Sequence, residues 1–210
     1  MPSPDIAGII LAGGQARRLG GLDKASTTLG GKPLIEHVID RVRPQVSSLI
    51  INAAGDPTRF ANFDLPVLAD VVDGFAGPLA GVLTGLEWLS VHRPDVPWLA
   101  SFAVDTPFLP LDLVDRLAAA VAADDVDMAC AQSNGRTHPV VALWPVSLKD
   151  DLRTALTVED IRKIDRWTAR HRIVHVDFAP VPTDGDAFDS FFNVNRPEDL
   201  IEAARILNLT

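Results

Sequence analysis

Short apolar runs alternate with stretches in which apolar side chains recur every three or four positions, and this continues along all 210 residues. Residues 7–11 (AGIIL), 49–52 (LIIN), 67–69 (VLA) and 99–104 (LASFAV) are continuous apolar runs bounded by polar or turn residues, the pattern of strands buried on both faces. Between them, Leu34, Ile35, Val38, Ile39 and Val42 repeat at helical spacing after Pro33, a residue suited to a first helical position. Leu111, Val114, Leu117, Ala118 and Val121 do the same, and residues 79–89 make a third helical stretch opened by Gly77-Pro78. Further strands are predicted over 128–131, 139–144 and 173–178, with helices over 159–170 and 197–207. Strands alternating with helices in this order predict an α/β fold, a single three-layer αβα domain around a mostly parallel sheet. No repeat, low-complexity block or linker interrupts the series.

Composition narrows the class. With 47% hydrophobic and 22% charged residues the chain can build one sizeable core. Its longest apolar run, near residues 6–12, is under half the ~20 residues needed to cross a bilayer. The opening Met-Pro-Ser-Pro-Asp has no basic segment ahead of that run, so the expectation is a cytoplasmic protein without a secretion signal. The net charge of −9 argues against a nucleic-acid surface, which needs concentrated Lys and Arg. Residues 1–50 nevertheless hold six basic against four acidic side chains, a local bias suited to a small polyanion. The single cysteine, Cys130, fits a small buried strand residue. His171 and His175 lie four apart on a predicted strand, about 13 Å in extended chain and too far to share a metal.

The strongest chemical signal follows the first strand, where four glycines (Gly13, Gly14, Gly20, Gly21) and three cations (Arg17, Arg18, Lys24) crowd into one segment. In open α/β sheets ligands bind beyond the carboxyl ends of the strands, and this segment leaves such an end. Glycine lets the backbone approach a phosphate closely, its N–H groups form an anion-binding nest, and Arg18 and Lys24 add charge-assisted bonds. It is not a P-loop, because Gly31-Lys32 precedes Pro33 and Ser26 stands where the earlier glycine should be. Nor is it a dinucleotide fingerprint, since neither Gly13 nor Gly14 has glycine both two and five residues on. Asp105 ends the run LASFAV and offers a hard oxygen of the kind Mg²⁺ prefers. Asn52 and Asp70 also terminate apolar strands, so all three point to the sheet edge that carries the glycine segment.

Residues Leu11 to Lys24 satisfy every fixed position of L-A-G-G-x-x-x-R-x-G-G-x-D-K, and this resembles the signature of the molybdenum cofactor guanylyltransferases, a branch of the nucleotidyltransferases. Further pieces follow in the same order: Ile51-Asn52-Ala53, Leu68-Ala69-Asp70, Gly77-Pro78-Leu79-Ala80-Gly81, Asp105-Thr106-Pro107-Phe108, His138-Pro139 and Asn193-Val194-Asn195-Arg196-Pro197. The resemblance implies a Rossmann-like nucleotidyltransferase fold with a nucleotide-binding half over about 1–110 and an acceptor-binding half over about 111–210. It implies transfer of GMP from GTP to molybdopterin with release of pyrophosphate, and Mg²⁺ as cofactor. Catalytic roles are implied for Arg18, Lys24 and Asp105, with Asp105 as the metal ligand. GTP contacts fall to Leu11, Ala12, Gly13, Gly14, Lys24, Asn52, Asp70 and Asp105. For guanine, whose N1–H and amine are donors, Asn52 and Asp70 supply acceptors. Acceptor-substrate contacts fall to Gly81, Arg136, His138, Asn193 and Asn195. Besides the two substrates, the implied partners are molybdopterin-handling proteins or apo-molybdoenzymes, with neither nucleic acid nor membrane. A nucleotidyltransferase specific for CTP or a sugar phosphate, and a non-catalytic cofactor-delivery protein, remain alternatives on the sequence.

Overall fold

The apolar run near the start of the chain becomes β1 (Ile6–Leu11), an interior strand of a seven-stranded sheet. The computed structural model describes residues 5–13, 24–74, 77–123, 125–183 and 187–208; Gly14, Arg17, Arg18 and Asp23 of the glycine-rich segment lie outside the described residues. After β1 come β2 (Thr28–Leu29), β3 (Lys32–Pro33), α1 (Leu34–Val42), β4 (Ser48–Asn52), β5 (Val67–Leu68), α2 (Pro78–His92), β6 (Trp98–Ala103) and α3 (Leu113–Ala123). The chain continues with β7 (Met128–Ser133), β8 (Arg136–Pro145), α4 (Lys149–Thr157), α5 (Ile164–Thr168), β9 (Ile173–Asp177), β10 (Val181–Pro182), β11 (Ala187–Phe188) and α6 (Pro197–Leu207).

The strand order is β5-β4-β1-β6-β8-β7-β9, with β8 antiparallel to both neighbours and the other pairs parallel. Parallel strands need both faces covered. Helices α1 and α3 bury one face around Ile10, Phe102 and Ala129, and α2, α4 and α5 bury the other around Ile9, Ile50, Leu99 and Trp144. A third apolar cluster, Leu29, Leu34, Phe108, Phe188, Val194, Ala203 and Ile206, seats α6 beside the β2–β3 hairpin. The predicted three layers are therefore present. Among the described residues no helix is long and apolar enough to cross a membrane.

The structure departs from the predicted elements in a few places. The helix expected over 159–170 shrinks to α5, because Asp160 takes a left-handed φ of 53° and the Ile161 amide bonds back to the Ala155 carbonyl at 2.9 Å. That turn closes α4, a helix the apolar spacing did not predict. Pro33 caps α1 from outside with extended backbone instead of occupying its first turn. Leu111 is 65% exposed, and α3 starts two residues later. Strands β7 and β8 are longer than predicted and join through Asn134-Gly135, both at positive φ (49° and 72°), as a tight hairpin turn demands.

One irregularity in that hairpin shapes the molecule. Cys130 pairs with Ala142 but Ala131 pairs with His138, so Pro139, Val140 and Val141 have no register partner on β7. Proline lacks the N–H that a ladder would use, and a bulge is where a strand tolerates it. The Val140 carbonyl accepts from the Ser101 hydroxyl at 2.5 Å, which in turn accepts from the Trp144 indole N–H at 2.7 Å. On the other side β8 pairs with β6 only as far as Ser101 with Ala142. Beyond that row the two strands part, and a cavity opens between them.

Candidate active site at the carboxyl edge of the sheet

Leu11, Asn52, Leu68 and Ala103 stand in one register row across β1, β4, β5 and β6. Gly13, Asp70 and Asp105 each follow that row by two residues, so the parallel register alone delivers them to one edge. The ladder runs slightly further, with the Ala12 amide on the Asn52 carbonyl (2.8 Å) and the Val104 amide on the Leu11 carbonyl (3.3 Å). This edge lies at the switch in strand order on either side of β1, where open α/β sheets bind ligands.

Asn52 is 4% exposed, and its amide has a defined orientation. Its Nδ2 donates to the Leu68 carbonyl (3.2 Å) and to Asp70 Oδ1 (2.9 Å), both pure acceptors. Oδ1 therefore faces the opposite way, toward Gly13 and the first turn of α2. There Gly81 makes room for it: a Cβ on Gly81 would stand 2.3 Å from Asn52 Oδ1 and 2.7 Å from Leu11 Cδ2. Gly81 thus packs beneath Asn52 and Leu11 and is not among the residues lining the cavity between β6 and β8. Helix α2 enters this contact from Gly77, at φ 73°, followed by Pro78 as its first residue, as predicted.

Lys24 and Asp105 meet although 81 positions separate them. The Lys24 ammonium donates to Asp105 Oδ2 and to Asn195 Oδ1, each at 2.6 Å. Both side chains of the ion pair retain under a fifth of their exposure, so the pair is screened less than a surface one. Ala25, fully buried against the core that holds α1, anchors the turn that carries Lys24. The 193–195 segment wraps the same carboxylate. Asn193 Nδ2 donates to Asp105 Oδ1 (3.1 Å) and to Thr106 Oγ1 (2.9 Å), and the Val194 amide donates to the Asp105 carbonyl (2.8 Å). Asp199 receives the Asn195 and Arg196 amides at 2.8 Å, which caps α6 and holds Asn195 in place. The two asparagines expected at the acceptor substrate therefore contact the Lys24–Asp105 pair directly.

Asp105 also borders the cavity between β6 and β8. Its volume is about 260 Å³, and its lining includes Arg136, His138, Phe191, Asn193 and Asn195. Four of the five residues expected at the acceptor are thus brought together, with Asp105 at their margin. Arg136 is exposed and has no carboxylate partner among the described residues. His138 stacks on Phe191 (ring centroids 4.5 Å apart, planes within 11°) and its Nε2 lies 2.7 Å from Ser133 Oγ. Burial and the Arg136 charge push the His138 pKa below the usual imidazole value, against the opposing pull of Asp189. Ser133 and Asp189, which hold His138, were not singled out from the sequence, where 56 positions separate them; only the Asn134-Gly135 turn hinted at the hairpin that sets Ser133 opposite Arg136.

The remaining candidates are structural. Burial pushes the Cys130 thiol up to about 12, so it is an inert core residue. His171 packs on the Trp167 ring and lies 3.4 Å from Asp151. Among the described residues no group of three or more His, Cys, Asp or Glu side chains could hold a metal.

The chain is similar to known proteins over most of its length. Residues 8–174 match the family model described as the MobA-like NTP transferase domain. A curated "Molybdenum cofactor guanylyltransferase" of Rhodopseudomonas palustris is 53% identical over 203 residues, covering 97% of this chain and 94% of that one. A protein of the same name from Mesorhizobium japonicum is 52% identical over 203 residues, covering 97% and 96%. The crystal structure of molybdopterin-guanine dinucleotide biosynthesis protein A from Archaeoglobus fulgidus superposes with a TM-score of 0.73 over 97% of this chain and all of that one, at 22% identity, which speaks for the fold.

Proposed function

The chain belongs to the family of MobA-like NTP transferase domains, and on that premise we propose that it binds GTP at the edge of β1 and β4 and molybdopterin in the cavity between β6 and β8. It is a nucleotidyltransferase that transfers GMP in the synthesis of molybdopterin guanine dinucleotide. The observation that carries the proposed placement of substrates is the Lys24–Asp105 pair: it joins the end of the glycine-rich segment to a carboxylate that shares the sheet edge with Gly13 and Asp70 and also lines the cavity between β6 and β8.

The reaction forms a bond from an oxygen of the molybdopterin phosphate to the α-phosphorus of GTP and breaks the bond from that phosphorus to pyrophosphate, which leaves with the electron pair. The attacking phosphate is already anionic near neutral pH, so no general base is required. What the protein must manage is negative charge. Lys24 exchanges Asp105 for the triphosphate when nucleotide arrives, while Arg18, Gly13 and Gly14 complete the phosphate cradle. Asp105 is the carboxylate that would hold a Mg²⁺ ion, since among the described residues no group of three or more acids, histidines or cysteines forms and Mg²⁺ needs only one or two carboxylates. Bound there, the ion would supply charge neutralisation. Asn52 Oδ1 and the Asp70 carboxylate offer acceptors to the guanine or ribose, and Arg136, exposed and without a carboxylate partner among the described residues, takes the acceptor's phosphate.

The test is pyrophosphate release by the purified protein supplied with Mg²⁺, molybdopterin and one nucleotide at a time. Release with GTP, and little with CTP or ATP, is the expected result. A preference for CTP, or no release with any nucleotide, would refute the reading.

A further inference from the structure

Behind His138, which lines the cavity between β6 and β8, runs a hydrogen-bond relay whose protons can be counted. The Asp189 carboxylate accepts from the Phe191 amide (2.9 Å), from Ser133 Oγ (2.8 Å) and from Asn134 Nδ2 (3.4 Å). A carboxylate with three donors is an acceptor only, so the single Ser133 proton points at Asp189. Ser133 Oγ, 1% exposed as a residue, is then left with lone pairs toward His138, whose Nε2 lies 2.7 Å away. Nε2 must therefore carry the imidazole proton. Nδ1 is left with a lone pair, and it has no hydrogen-bond partner among the described residues. Stacking on Phe191 fixes the plane of the ring, and burial keeps the ring neutral.

From this chain of donors we infer that the Asp189–Ser133 relay locks His138 in the Nε2–H tautomer, so that Nδ1 is the acceptor that reads an N–H donor on the second substrate's heterocycle. The substrate class it suits is a bicyclic, amino-bearing, hydrogen-bond-donating ring such as a pterin. This deepens the proposed reading and rests on it for the identity of that substrate. His138 is then a specificity-determining residue, and Ser133 and Asp189 are positioning residues that act through it. A free imidazole offers either tautomer and discriminates poorly between donors and acceptors, whereas a fixed one leaves a mismatched ring with two lone pairs facing each other.

Two measurements on the intact protein test this. Nitrogen-15 chemical shifts of the His138 ring should show a protonated Nε2 and a bare Nδ1, and in Ser133→Ala they should move to averaged tautomer values. Titration with 6-hydroxymethylpterin, followed by its own fluorescence, should be weaker by roughly 3- to 10-fold in His138→Phe, which keeps the ring and its stacking, and weaker in Ser133→Ala. A protonated Nδ1 in the native protein, or pterin binding equal in all three proteins, would overturn the inference. Failure of the wild-type protein to release pyrophosphate from GTP would refute the transferase reading instead, while the ring shifts and the pterin titration would still decide the role of His138.

Discussion

Asp105 receives three contacts that do different work. Lys24 neutralises it, Asn193 orients it, and the Val194 amide fixes its backbone. Asp105→Asn keeps an oxygen for Asn193 but loses the charge, so folding and catalysis should separate. Turnover is expected to fall by roughly 10²- to 10³-fold. Stability should change by about 1 kcal/mol, a shift of roughly 2–4 °C in melting temperature. Pyrophosphate release together with a thermal melt checks both, and normal turnover would remove Asp105 from the mechanism. Gly81 makes the opposite case, a residue whose importance lies in what it lacks. Gly81→Ala would place a methyl group inside the contact radius of Asn52 Oδ1 and Leu11. The expected cost is about 1–3 kcal/mol by urea unfolding, accompanied by a raised KM for GTP as Asn52 is pushed aside. An unchanged KM would show that Asn52 has no part in holding the nucleotide.

The bulged strand β8 depends on a satisfied interior. Ser101 is fully buried and serves two partners, the Val140 carbonyl and the Trp144 indole. Ser101→Ala strands both, at about 1–3 kcal/mol each, and should lower the urea midpoint without changing the slope. A loss well below 1 kcal/mol would mean that the bulge relaxes by other means. The same strand marks where the chain's pattern stops being legible. Continuous apolar runs announced β1, β4, β5 and β6, and because a parallel register carries strand ends to one edge, the convergence of Asn52, Asp70 and Asp105 followed from where those runs end. The direction of β8 did not, since an antiparallel strand buried on both faces has the same apolar composition as a parallel one. Helix α4 was missed because its charged first turn, Asp150 and Asp151, masks a buried set of only three residues, Leu152, Ala155 and Leu156. Ser133 and Asp189 carry no local signal; only the hairpin and the turn before α6 bring them together.

The protein as a whole is acidic, at −9, yet it must take up a triphosphate. Its general field repels such a ligand, and the proposed reading draws affinity from the local cations of the first 50 residues and from a metal ion at Asp105. GTP with Mg²⁺ should therefore raise the melting temperature, by the equivalent of about 2.7 kcal/mol when GTP stands at 100 times its Kd. Chelation with EDTA, or Asp105→Asn, should abolish most of that shift. An undiminished shift in EDTA would show that the cations alone hold the phosphates. Beside His138, residues 139–141 have no partner on β7 and stand between two stretches of β8 that do pair with it in register. Adding or deleting one residue there would leave both paired stretches on β7, because the Asn134-Gly135 turn holds 136–138 against 131–133, but it would move the Val140 carbonyl off the Ser101 hydroxyl and reshape the cavity wall that Pro139, Val140 and Val141 form. Random insertion and deletion libraries should therefore find this stretch intolerant of any change in length, even where side chains can be exchanged.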